Sequence, residues 1–347
     1  MKKIKKSISI YMIAILSAMI IMGCNKPGEE TNDKALSDNI ILTETGEVLE
    51  KEVLPTQSPK ESNEQKEDEE ATPSPEIVKP EVELVEPEQE QVITEEDQIS
   101  PTGSELQIVF LGDSIFDNSR DGTGVPYLTS VQCEADVYNL AIGGTSATLE
   151  MGEAQESENW DSRSLVGVVR AMKGEISTDS FSGTRTKEIL DNSEVDFSTT
   201  DYFVVEYGMN DFFRAVPLSN EDNMFDVYTY AGALRYAVSN LGDVADDATI
   251  ILCAPNYAQF YDGNRFIGDG NSLNTGYGTL FDYKGICEYV AKEQQVEFFD
   301  AYLDLGIDGY TAEEYLEDGV HLTAAGRQLY ADALAEMILR IEETKNN

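Results

Sequence analysis

Apolar and polar positions divide the chain into three stretches. Residues 8–22 are almost continuously apolar, residues 25–104 are mostly polar, charged or proline, and from about 105 onward short apolar runs alternate with amphipathic ones. In the third stretch the run 106–111 reads as a buried strand that stops at a polar, Gly-containing segment. Comparable runs cover 137–142, 201–207, 248–254 and, more briefly, 296–299. Between them, helical spacing predicts helices over 164–172 (Leu165, Val168, Val169, Met172), 186–192, 224–241 (Val227, Tyr230, Ala231, Leu234, Val238), 283–292 and 324–341. Residues 256–281, rich in Asn, Gly, Tyr and Phe without helical period, read as a long functional loop. Strands alternating with helices imply an α/β domain with a parallel sheet covered on both faces. Ser114, Gly144, Asn210 and Pro255 each follow a strand, so they belong to one edge of that sheet, where open α/β sheets gather ligands.

Charge refines the division. The formal net charge is −42: residues 1–24 carry +4, residues 25–104 carry −17 and the domain from 105 onward −29. Such a surface, with no basic stripe, argues against nucleic acid as a partner and favours a neutral or cationic substrate. Residues 25–104 contain no aromatic residue; they cannot bury enough surface to offset chain entropy and are expected to form an extended, disordered acidic tether. A weak affinity of that tether for basic partners or divalent cations is the alternative.

The first stretch reads as a targeting segment. Lys2, Lys3, Lys5 and Lys6 precede the apolar run, which is short for a membrane span. It ends Ile21-Met22-Gly23-Cys24, which resembles a bacterial lipobox. The expectation is a lipoprotein signal peptide over 1–24, lipidation at Cys24, and a protein held on the extracytoplasmic face of the bacterial membrane by its lipid; an uncleaved signal anchor is the alternative.

The candidate chemistry lies at the sheet edge. A serine hydroxyl needs a base within hydrogen-bond reach to act as a nucleophile. The sole histidine, His321, suits that task. Asp318 stands three residues earlier and can orient the imidazole. The backbone N–H groups of Ser114 and Gly144 and the Asn210 amide are candidate oxyanion donors. Plainer roles are open to each: Ser114 as a helix N-cap, Asp318 and Thr323 as caps of the terminal helix, Asn210 and Asp211 in an Asx turn, His321 as a structural histidine.

Gly112-Asp113-Ser114, the glycine after Asn139-Leu140-Ala141-Ile142, Gly208-Met209-Asn210-Asp211 and Asp318-Gly319-Val320-His321 resemble, in order, the four signature blocks of the SGNH (GDSL-type) hydrolases. The resemblance spans about 105–345. It implies a flavodoxin-like three-layer α/β/α sandwich with a five-stranded parallel sheet. It also implies Ser114 as nucleophile, His321 as base, Asp318 as its orienter, and Gly144 and Asn210 as oxyanion donors beside the Ser114 amide. Ile115 stands where the family name has Leu, and Gly143 adjoins Gly144, so either could supply the donor.

Other motifs are missing. There is no Gly-x-Ser-x-Gly elbow, P-loop, dinucleotide fingerprint or Cys-x-x-Cys, so no metal and no cofactor is expected. Asp262-Gly263-Asn264 and Asp269-Gly270-Asn271 resemble calcium loops, but the spacing after each breaks the EF-hand pattern. Cys133, Cys253 and Cys287 allow at most one disulfide. The expected function is a cell-surface serine esterase acting on neutral acyl esters, acetyl esters above all. Tyr257, Phe260, Tyr261, Phe266, Tyr277 and Phe281 offer faces for sugar rings and point to a carbohydrate substrate, unless they pack on the domain. The alternatives are a tethered carbohydrate-binding or adhesion protein that lost turnover, or a lipase or lysophospholipase.

Overall fold

The computed structural model describes residues 106–149 and 162–345; the segment ending at Cys24 and the tether over 25–104 lie outside them. Seven strands occur among the described residues: β1 (Leu106–Gly112), β2 (Ala135–Asn139), β3 (Tyr202–Glu206), β4 (Thr249–Cys253), β5 (Gln259–Asp262), β6 (Arg265–Asp269) and β7 (Glu297–Phe299). Five form a wholly parallel sheet in the order β2-β1-β3-β4-β7, while β5 and β6 make a separate antiparallel hairpin.

The strands read as apolar runs because both faces of the sheet are covered, as parallel sheets require. All of β3 is buried. Register pairs Ile108 with Tyr202 and Phe110 with Val204, so these side chains share a face. On that face Phe110 meets Phe116 edge-on, Phe116 meets Tyr330, and the Tyr202 hydroxyl donates to Glu342 at 2.5 Å. Tyr330 and Glu342 belong to the C-terminal helix Ala324–Lys345, which also packs on the helix Val125–Cys133. Val109, Leu111, Phe203 and Val205 point the other way. The helices Leu165–Met172, Tyr230–Val244 and Leu280–Gln294 pack in succession as the second helical layer, completing the three-layer α/β/α sandwich.

Several element boundaries differ from those expected, each for a local reason. β2 begins two residues early, yet ladder bonding continues past its end: Leu140 N–H reaches Phe110 O at 2.7 Å and Ile142 N–H reaches Gly112 O at 2.9 Å. The helix Val125–Cys133 was not expected; Pro in its first turn after Gly124 is the start signal that a reading of 117–124 as polar loop passed over. The helix expected from 224 starts at Tyr230, because the Thr229 side chain caps it by accepting from Gly232 N–H. The one expected from 283 starts at Leu280, behind a reciprocal cap of Thr279 and Asp282. Residues 256–281 are not an irregular loop: they contain the β5–β6 hairpin, whose two-residue turn is Gly263-Asn264 with Gly263 at φ +63°. Cys133, Cys253 and Cys287 are all free and buried.

Candidate active site

β1 runs directly into a one-turn helix, α1 (Ser114–Asp117). Its cap is Asp113, whose Oδ1 accepts the Ile115 N–H at 3.0 Å. Ser114 is therefore the first helical residue and not the cap, so its hydroxyl is released from that task. Ser114 Oγ lies 2.9 Å from His321 Nε2.

His321 sits in a tight loop closed by a bridge between Leu316 and Leu322 and by Glu317 N–H donating to His321 O at 2.7 Å. Asp318 organises the loop from within. Its Oδ1 accepts the N–H groups of Val320 (3.1 Å) and His321 (2.9 Å), and its Oδ2 lies 2.8 Å from His321 Nδ1. The intervening Gly319 has φ +87°, and a Cβ there would lie 2.3 Å from Gln259 O. That close approach is productive: Gln259 N–H donates to Gly319 O at 2.7 Å, and Asn256 Nδ2 donates to Val320 O at 3.2 Å. The start of the hairpin thus fixes the histidine loop in place.

Burial disfavours charge on both members of this pair, but their mutual attraction outweighs it. Asp318 is pulled down to about 2, chiefly because its hydrogen bonds to His321 overcome the cost of burial. His321 is raised above its ordinary value: burial opposes this, and the Asp318 carboxylate, with smaller help from Asp113 and Glu317, prevails. A carboxylate on Nδ1 keeps that nitrogen protonated and leaves Nε2 to accept a proton from the serine.

The second side of the site comes from β2 and β3. Beyond β3, Gly208 takes φ +132°, and a Cβ there would meet Tyr230 Oη at 2.7 Å and Pro255 Cγ at 3.2 Å. This turn launches a short helix, Met209–Phe213, bearing Asn210 and Asp211. Asn210 Nδ2 donates to Asp113 Oδ2 at 2.8 Å, keeping its second N–H for other partners. Asp211 is fully buried and accepts from Ala147 N–H (2.9 Å), Thr148 N–H (3.2 Å) and Thr148 Oγ1 (2.9 Å), which ties the segment after Gly144 to this helix. The Gly143 N–H donates to Asp117 Oδ2 at 2.6 Å and is occupied. Gly143 is also the neighbour of the serine, since a Cβ on it would lie 3.7 Å from Ser114 Cβ. The adjacent Gly144 is exposed, and its carbonyl accepts from Arg214 Nη2 at 2.9 Å.

Two carboxyl groups lie beneath the serine. Asp113 is completely buried and is raised to about 6 by desolvation, partly offset by the Ile115 N–H, His321, Glu206 and Asn210. Glu206, the last residue of β3, is equally buried and is pushed well above the carboxylate range, first by burial and then by the neighbouring Asp113. Among the described residues neither Glu206 oxygen has a hydrogen-bond partner of good geometry, which favours the neutral acid. Sequence reasoning assigned no part to Glu206, Asp113 or Asp117. A charged residue inside the otherwise apolar run 202–207 was the visible signal for Glu206.

The rim is mixed. A cavity of about 710 Å³, lined among others by Ser146, Thr148, Arg214, Glu221 and Tyr228, shares Ser146 and Arg214 with the Gly144 loop but does not reach Ser114. Tyr257 and Phe260 are buried, so for these two the packing role displaces the expected sugar-facing one. Tyr261 (39% exposed) and Phe266 (53%) remain open on the hairpin, edge-to-face at 5.7 Å, and Tyr277 and Phe281 are also exposed. The first calcium-like sequence is the hairpin turn, with Asp262 paired to Arg265 at 3.0 Å. In the second, Asp269 accepts from Tyr257 Oη and Ser272 Oγ at 3.0 and 2.7 Å.

The model of the GDSL-like Lipase/Acylhydrolase family matches residues 110–329. No curated protein matches the chain. One solved structure aligns at 20% identity and TM-score 0.52 over 68% of this chain and 96% of its own. A family two carbohydrate esterase from Clostridium thermocellum, in complex with cellohexaose, aligns at 19% identity and TM-score 0.44 over 71% of this chain and 66% of its own. A mutant acetyl-xylooligosaccharide esterase from Geobacillus Stearmophilus aligns at 20% and 0.41, over 67% and 94%.

Proposed function

Because the chain belongs to the GDSL-like lipase/acylhydrolase family and is a serine ester hydrolase, we propose that Ser114, His321 and Asp318 are its catalytic triad. We further propose that its substrates are neutral acyl esters, acetyl esters of carbohydrates above all. The observation that carries this reading is the continuous chain from Ser114 Oγ to His321 Nε2 at 2.9 Å and from Nδ1 to Asp318 Oδ2 at 2.8 Å.

Ser114 Oγ attacks the ester carbonyl as its proton passes to His321 Nε2, and the Asp318 carboxylate stabilises the imidazolium that forms. The developing oxyanion is met by the Ser114 N–H, the Gly144 N–H and the free N–H of the Asn210 amide. Gly144 takes this role over Gly143, whose N–H is held by Asp117. Collapse of the tetrahedral intermediate breaks the bond to the alcohol, which leaves with the proton from His321. Water then repeats the cycle on the acyl-enzyme, releasing the acid and restoring Ser114.

Two features favour a sugar on the alcohol side. The exposed Tyr261 and Phe266 rings stand on the hairpin that buttresses Gly319, beside the histidine loop, and aromatic faces suit pyranose rings. The domain charge of −29 disfavours anionic substrates. Lipidation at Cys24 and the 80-residue tether over 25–104 would hold the domain at the extracytoplasmic face of the cell membrane with wide reach. Loss of membrane retention in Cys24→Ala is the expected result, and unchanged retention contradicts the anchor.

The function is tested with p-nitrophenyl acetate, acetylated xylan, acetylated peptidoglycan and a long-chain ester, each with a Ser114→Ala control. Release of acetate from a polysaccharide, lost in the control, is expected. Equal turnover by wild type and Ser114→Ala sinks the triad, and preference for the long-chain ester sinks the carbohydrate assignment.

A further inference from the structure

Gly144 can serve as an oxyanion donor only if its peptide is held in one orientation, and the loop that carries it has no regular structure beyond Asn139. Two side chains grip this loop from opposite sides. Asp117 accepts the Gly143 N–H through Oδ2 at 2.6 Å, while its Oδ1 takes Arg120 Nε at 2.5 Å. Arg120 in turn donates to Asn139 O at 2.9 Å and Ala141 O at 2.6 Å, so one ion pair spans the whole descent from β2 to the glycines. From the other side, Arg214 donates to Gly144 O at 2.9 Å and to Ser146 Oγ at 2.8 Å.

The origins of the two grips are telling. Asp117 lies one turn after Ser114 on α1. Arg214 is the C-terminal cap of the helix that carries Asn210. The Gly143–Gly144 peptide is thereby bracketed: the peptide unit before it is held from the nucleophile's helix and the one after it from the amide donor's helix.

We infer that Asp117 and Arg214 are positioning residues that register the Gly144 N–H against the other two oxyanion donors. This rests on the proposed role of Gly144. Neither side chain touches the substrate; each acts through the loop. Their loss therefore lowers kcat and leaves KM nearly unchanged, because the oxyanion exists only in the tetrahedral state. Misplacing a reacting geometry by about 1 Å can cost about 10²-fold, so Asp117→Ala and Arg214→Ala are each expected to lower kcat by about 10- to 100-fold. Asp117→Asn keeps a side-chain oxygen that can accept the Gly143 N–H and is expected to recover most of the loss.

The experiment measures kcat and KM on p-nitrophenyl acetate for Asp117→Ala, Asp117→Asn, Arg214→Ala and Ser114→Ala. Alongside, it measures the rate at which diethyl p-nitrophenyl phosphate phosphorylates Ser114, since the phosphoryl oxygen occupies the same hole. Parallel falls in kcat and phosphorylation, with unchanged melting temperature and recovery in Asp117→Asn, support the inference. Wild-type kcat in folded Asp117→Ala and Arg214→Ala overturns it, as does an equal loss in Asp117→Asn accompanied by a lowered melting temperature, which marks a purely structural role. Should Asp117→Ala not fold, Arg214→Ala decides alone. If Ser114→Ala keeps full turnover, the triad itself is wrong and this inference falls with it.

Discussion

Two aspartates serve the same site under opposite physics. Asp113, behind the serine, is wholly buried and raised to about 6. Asp318, behind the histidine, has a side chain 52% exposed and is lowered to about 2. The residue type is the same and the two groups flank one reaction centre. What differs is burial and company: desolvation alone raises Asp113, whereas Asp318 is drawn down by an imidazole that can gain charge. Asp113 is suited to holding structure, Asp318 to stabilising a transient cation.

The sharpest way to break this contrast is Asp318→Asn. Loss of the carboxylate on His321, as a member of the proposed triad, is expected to lower kcat by about 10²- to 10⁴-fold on p-nitrophenyl acetate, with only a small change in melting temperature because the group is half exposed. A large loss of stability with turnover retained would erase the distinction. Asp113→Ala should act first on stability, with a fall in kcat following from the lost Asn210 anchor. It leaves the Ile115 and Asn210 N–H groups unpaired beneath the serine, costing about 1–3 kcal/mol for each, measurable by urea unfolding.

The pH profiles separate the two further. The rate should rise with pH through an apparent pKa above 6.5, since His321 is raised and must be neutral to act. In Asp318→Asn that midpoint should move down, as read from kcat/KM. Stability should respond in opposite directions. Asp113 binds its proton more tightly folded than unfolded, so its contribution falls as pH rises from about 4 to about 6. Asp318 does the opposite, and its contribution is lost as pH falls from about 4 towards 2. Denaturation curves of Asp113→Asn and Asp318→Asn should each flatten only their own limb. The smallest effect is expected for Glu206→Gln at pH 4, within about 1 kcal/mol, because the acid it replaces is already neutral there. The variant should gain on wild type as pH rises, and an unchanged difference across pH would show that Glu206 is ionised in the fold.

The same contrast marks what the sequence made legible. The Ser114, His321 and Asp318 set was readable because few residue types suit such chemistry and, for Ser114, because the strand that delivers it is a mostly apolar run. The sheet was readable for the same reason. Asp113, Glu206, Asp117 and Arg214 were not assigned, since their parts depend on neighbours 26 to 97 residues away. No local pattern carries that information. The hairpin at 259–269 was overlooked because its aromatics suggested ligand contacts; Tyr257 and Phe260 instead face inward, and only the outward set, Tyr261 and Phe266, kept that option. The Gly143–Gly144 ambiguity could not be resolved from composition at all, and one hydrogen bond from Gly143 to Asp117 bears on it.

The contact of Gly319 with the hairpin has an evolutionary side. Gln259 and Asn256 bond the two backbone carbonyls immediately before the histidine, and no side chain fits at 319 without displacing the Gln259 carbonyl. The stretch that would have to diversify to meet new substrates is thus bolted to the stretch that must not move. Insertions at the tip, around Gly263, are free to accumulate; grafts that replace the hairpin from its base would drag the histidine with them. If the exposed rings contact substrate as proposed, substrate range can change at the outer turn without disturbing the histidine loop.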